Sequence, residues 1–355
     1  MLISGIAAFL APFEVFLFVY AFIGPLHYLT EISWLHDKNY FTKGRYDYCL
    51  LVLIALIVSL LYYSSRFHIW PLDSAANIKI VASWKLVEKL LFLALFGAVV
   101  LAFAINLSVK VFLLLIVFSI GDLIFLPGFD TPGHPLSQSN LSYLLLLFLP
   151  TLMHVYLFTG FFLAHGALKN KSLTGLLSFI FFLVCPVILI YTNEIGFVMT
   201  EYAKSIYGNI NNPDGFFHLN KAILEHYFTH AIISKAIPVT NTRAAETIYW
   251  NEIVYNRKPG IELMRFIAFA YVYHYGNWFS KTGIIGWHKI PKKRFLAIII
   301  IWMAGIAVYT YNYARGLHWL FFLSLVHILL ELPLNMASLG GIFRESIIMV
   351  KKRLI

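Results

Sequence analysis

Residues 90–127 read LLFLALFGAVVLAFAINLSVKVFLLLIVFSIGDLIFLP, and Lys110 and Asp122 carry the only formal charges in the stretch. About 20 apolar residues are needed for a helix to cross the hydrocarbon core of a bilayer. The stretch has room for two such helices, with Asn106, Ser108 and Lys110 marking a tight turn between them. Working outward, similar apolar runs lie at 3–27, 47–64, 88–107, 109–127, 141–165, 174–194, 261–281, 294–314 and 317–339. The reading is therefore an all-α, polytopic transmembrane helix bundle of eight or nine spans, one domain over 1–355, with the lipid bilayer as its solvent.

Composition agrees. Apolar residues make up 60% of the chain and charged residues 12%, too few to coat a water-soluble particle of 355 residues. The net charge of +10 could suggest nucleic acid, but the basic residues sit in short groups at the ends of apolar runs and form no basic stripe with interleaved aromatics. They read as topogenic charge, with no nucleic-acid partner. Lys38, Lys43 and Arg45, Lys169 and Lys171, the Lys281–Arg294 group and the Arg344–Arg353 group alternate with poorer loops, which by the positive-inside rule predicts an external N-terminus and a cytoplasmic C-terminus. The loop holding Arg66, Lys79, Lys85 and Lys89 breaks the pattern, and a segment such as 69–88 is expected along the membrane interface. Cys49 and Cys185 lie inside apolar runs with no partner spacing, which excludes a disulfide framework. The first apolar run has no basic lead and no cleavage signal, so it is expected to be retained.

Residues 195–260 form the one long polar excursion, with a loop signal at Asn209–Gly215 and helical patterning around Leu219–Ile233. They are expected to make an extramembrane cap or lid.

Ionisable residues at membrane depth are costly and point to function by default. His27 and Glu31 close the first run at a spacing of four, on one helical face, and His327 and Glu331 repeat that spacing in the last run. A carboxylate one turn away could orient an imidazole and leave its other nitrogen for a metal, although an ordinary buried His–Glu bond satisfies the same spacing. His154 lies in the middle of the fifth run and His274 in the seventh. A site of His27, His154, His274 and His327, with Glu31 and Glu331 as orienting or catalytic carboxylates, suits ferrous iron that activates oxygen; zinc or copper would also accept these ligands. Tyr28, Tyr273, Tyr275 and Trp278 flank the histidines as candidate pocket walls. The pair His226 and His230, and the groups Trp287-His288 and His318-Trp319, read as a polar cap face and as interfacial anchors. No P-loop, GxGxxG, GxSxG or HExxH pattern is present, and there is no His-His doublet.

Three segments carry a resemblance. Phe22-Ile23-Gly24-Pro25-Leu26-His27 with Glu31, Phe269–His274, and Val326-His327 with Glu331 resemble helices of the Brp/Blh family of membrane β-carotene dioxygenases. The resemblance implies a histidine-bound iron in a membrane bundle and an apolar substrate, a lipid or isoprenoid, that enters from the bilayer. The chain departs from the family pattern at Trp278, where the family has a second histidine, and only His154 is available for the family's middle-helix histidine. The rival from another class is a transporter in which His27, Asp122, Glu194, His274 and Glu331 line a path for protons, a metal ion or a solute. In a third reading the buried histidines merely bond neighbouring helices.

Overall fold

The computed structural model describes residues 1–67, 74–126, 138–191, 199–212, 215–232, 243–286 and 289–353. Among them there are helices and turns and no strand. Eight helices are long and apolar enough to cross a membrane: Pro12–Asp37, Tyr48–Arg66, Trp84–Phe103, Leu107–Ile124, Gln138–Lys169, Leu173–Tyr191, Lys292–Tyr311 and Tyr313–Lys351. This is the architecture of a multi-pass membrane protein. The seventh predicted run, 261–281, forms the helix Lys258–Ser280, which is long enough to span, but with Lys258, Glu262 and Arg265 it is not among these eight.

The chain divides into two compact units, one of residues 1–27, 177–284 and 292–317, the other of residues 28–176, 285–291 and 318–355.

In the first unit the helix Lys258–Ser280 is the centre. It is wrapped by Leu2–Leu10, Pro12–Phe18, Phe217–Ile232 and Arg243–Tyr255, and eleven of its residues are buried. Gly260 lets its start approach the preceding helix, because a Cβ there would stand 2.2 Å from the Ile253 carbonyl oxygen. Arg265, buried, places its guanidinium over the ring of Phe9 at 4.2 Å, a cation–π contact. The predicted first run does not form one helix. It breaks at Ala11 (φ −148°, ψ 64°), since a residue before proline is pushed out of the helical region, and Pro12 opens a new helix. The span is thus Pro12–Asp37, and His27 lies near its middle instead of at its end.

From the 195–260 stretch come the helices Glu201–Tyr207, Phe217–Ile232 and Arg243–Tyr255; residues 192–198, 213–214 and 233–242, including Glu194, lie outside the described residues. The buried Tyr207 hydroxyl donates to Asn220 Oδ1 at 2.8 Å, and its ring meets Phe13 and Phe16 edge-on.

The second unit is built on an apolar core that runs through Ile54, Val58, Ala94, Ala98, Leu149, Leu329 and Leu332. Trp84–Phe103 is mostly buried, whereas Leu107–Ile124 exposes most of its surface, as a lipid-facing helix would. The predicted tight turn is seen: Asn106 caps the helix Leu107–Ile124 by accepting from the Ser108 N–H. Lys110, one turn in, is buried and pairs with Asp47 at 2.6 Å. The helix Ser74–Phe103 is continuous, so the stretch 74–88 leads directly into a span; residues 68–73, with Trp70, lie outside the described residues. The last helix, Tyr313–Arg353, is longer at both ends than the predicted run and carries His327 and Glu331 in its middle.

Candidate metal centre

Two of the histidine-bearing helices are locally irregular for a chemical reason, and a third contains a proline. Pro25 offers no N–H to the carbonyl of Ala21, and a π-helical turn, Val19–Ile23, precedes it. Pro150 likewise frees the carbonyl of Leu146, inside a π-helical stretch, Leu144–Phe158, that contains His154. Pro333 sits within the helix that carries His327. Such widened turns recur at functional sites because they turn a side chain away from the regular spiral.

In the first unit, Nε2 of His274 stands 3.0 Å from Nε2 of His27, with the two rings nearly perpendicular at 81°. Tyr275 and Trp278 pack against His27, at ring separations of 4.8 and 5.4 Å. In the second unit the arrangement repeats. Nε2 of His327 stands 3.0 Å from Nε2 of His154, with the rings at 82°. Tyr28 stacks on His327 at 4.1 Å and 23°. Glu331 Oε2 is 2.8 Å from Nδ1 of His154, an ion-pair separation. Glu31 and Glu331 are neighbours, and both are about 1% exposed.

The division between the units falls inside the unbroken helix Gly24–Asp37, directly after His27, so His27 is carried on the same helix as Tyr28 and Glu31. One ring nitrogen from each of His27, His154 and His327 lies within 4.8 Å of the other two, and all three side chains are buried. This buried three-histidine group could hold a metal ion. The donor chemistry fits. For a metal–nitrogen bond of about 2.1 Å, two ligands at right angles stand about 3.0 Å apart, which is the separation within each histidine pair. Imidazole donors suit iron, zinc, copper or nickel alike.

The structure sets Glu331 against His154 of another helix, 2.8 Å from its Nδ1. Tyr273 packs on Phe182 and Phe269. Asp122 is in ion-pair contact with Lys89. His318 contacts Tyr62 and Arg66 near a span end. In the helix Phe217–Ile232, Glu225 pairs with Lys221, and His288 lies outside the described residues.

Asn335 escaped the sequence reading. It is fully buried two turns beyond His327 on the same face, and the i, i+4, i+8 series His327, Glu331, Asn335 was the available signal.

Compared with family models, with curated proteins and with solved structures, the chain finds no significant match.

Proposed function

We propose that the chain is a membrane-embedded oxidoreductase, an oxygenase that uses ferrous iron at its buried histidines to act on an apolar lipid or isoprenoid. The observation that carries this reading is the three-histidine group His27, His154 and His327, buried on helices apolar enough to span a membrane. Iron bound there would supply Lewis-acid and redox chemistry toward dioxygen. The protein's own side chains do the rest. Glu331 beside Nδ1 of His154 favours the tautomer whose Nε2 lone pair is free to bind. Tyr28 fixes the plane of the His327 ring by stacking, and Tyr275 and Trp278 hold that of His27 by tilted and edge-on contacts. The burial of the histidines, Glu331, Tyr28 and Tyr275 keeps water from the centre, which strengthens its electrostatics and limits side reactions. His274, paired with His27, is the fourth imidazole of the proposed set. The resemblance of residues 22–31, 269–274 and 326–331 to the Brp/Blh dioxygenases favours iron over zinc, and an isoprenoid over other apolar substrates. The distribution of Lys and Arg favours a cytoplasmic C-terminus.

The test is metal analysis of the detergent-purified, tag-free protein after anaerobic ferrous loading, wild type beside His154→Ala and His327→Ala. Near-stoichiometric iron in wild type, lost in both folded variants, is expected; dioxygen uptake is then followed with carotenoid and lipid substrates. A folded wild type that holds no metal overturns the proposal and turns attention to transport.

A further inference from the structure

Within the second unit, two contacts fix how the span Gln138–Lys169 lies against the last helix. His154 meets His327, and further along both helices His165 lies against Gly341, where a Cβ would stand 2.3 Å from the imidazole Nε2. Both contacts advance with residue number, so the two helices run parallel and leave the bilayer on the same side. Gly341 follows Gly340, at which a Cβ would stand 3.0 Å from the ring of Phe103. Glycine is costly inside a helix, and this pair makes room for two rings, His165 and Phe103.

Lys169 lies four residues beyond His165, and Arg344 three beyond Gly341. Each therefore shares the face of the contact and stands about one turn, roughly 5 Å, nearer the membrane surface. Both are exposed. The charges that act on the His165 ring are those of Lys169, Glu345 and Arg344, in accord with this placement. Glu345 accepts one N–H of Arg344 at 3.0 Å, out of the five that a guanidinium carries. Topogenic charge needs only the right side of the membrane, and a helix dipole only a terminus. Neither calls for an imidazole seated on a glycine between two spans with an arginine one turn away.

We propose that His165, Lys169 and Arg344 bind the phosphate headgroup of an anionic membrane phospholipid. Basic pockets between spans hold such headgroups. The guanidinium fork of Arg344 matches phosphate oxygens, Lys169 adds a second positive charge, and the imidazole adds a directed donor. Phe103, 51% exposed beside Gly340, gives an acyl chain an apolar wall on the bilayer side. The site shares no residue with the metal centre and stands whether or not that centre binds metal.

The test uses the full chain in detergent, delipidated, with dioleoyl phosphatidylglycerol or dioleoyl phosphatidylcholine added back and bound lipid counted by native mass spectrometry. Wild type should retain one phosphatidylglycerol per chain in preference to phosphatidylcholine. Lys169→Gln and Arg344→Gln, both at exposed positions, should each weaken that binding about fivefold, the effect of one basic residue near an anionic surface. Lys38→Gln, an exposed lysine elsewhere in the same unit, should leave it unchanged. His165→Phe keeps a ring on Gly341 without its nitrogens and should also weaken binding, with folding checked by a melt in the absence of lipid. Equal retention of the two lipids by folded wild type would overturn the proposal, as would a loss in Lys38→Gln as large as in Arg344→Gln. Inorganic phosphate bound as tightly as phosphatidylglycerol would mark a free-phosphate site and overturn the lipid assignment.

Discussion

Replacing Glu331 by Gln tests the centre at its most informative contact. The substitution keeps size and shape and removes one charge, 2.8 Å from Nδ1 of His154. In the parent, the carboxylate can only accept, so it favours a proton on Nδ1 and a bare Nε2. The glutamine amide can turn its NH₂ toward the ring and stabilise the opposite tautomer, whose Nε2 carries hydrogen and cannot ligate. Partners of this kind are worth 10- to 100-fold in metal affinity, about 1.4–2.8 kcal/mol. Both side chains are about 98% buried or more, so bulk water does little to restore the lost interaction. The assay is competition against a chelator of known affinity, followed by the metal remaining on the protein. The expected result is a loss of one to two decades with melting temperature little changed. Retention within threefold of wild type would refute the argument that Glu331 sets the ligand tautomer of His154.

Further outcomes follow from contacts elsewhere. Lys110→Met strands Asp47, since the pair is 2.6 Å apart with side chains 4% and 13% exposed; removal of one buried partner should cost about 3–5 kcal/mol, and the double variant with Asp47→Asn should recover much of it in thermal melts. Tyr207→Phe deprives the fully buried Asn220 of its 2.8 Å donor and should cost about 1–3 kcal/mol, measured by chemical denaturation in detergent. His218, in the helix Phe217–Ile232, has its pKa lowered by burial and then by the Lys221 charge, against a raising bond from the Asn212 backbone. Its neutral form therefore favours the folded state. The contribution is full above the unfolded value near 6.5 and is lost as pH falls through the lower folded value; Lys221→Met should move the histidine's proton resonance titration upward.

How much of this was legible in the sequence depends on the range of the interaction involved. Hydropathy is a property of each residue and needs no partner, so the membrane class, the helical fold and the tight turn at Asn106 could be read directly. The backbone must bond internally in lipid, which leaves helices as the solution for runs of this length. The ionisable residues stood out for the same reason, because a histidine in an apolar run is conspicuous wherever it points. Helix limits were read less well: Pro12 breaks a mostly apolar run, and the span continues through Glu31 to Asp37, beyond where hydropathy ends it.

Only the tertiary structure decided the pairings. A spacing of four permits a bond along one helix but does not compel it; the π-helical stretch around Pro150 and the packing of neighbouring helices set Glu331 on His154. Nor could spacing reveal that Asn335 has no hydrogen-bond partner among the described residues, since that depends on the atoms packed around it. The sequence by itself determined which solvent the chain occupies and which residues are costly there. The fold determined which of those costly groups meet, because contacts between helices depend on crossing and rotation that no single helix encodes.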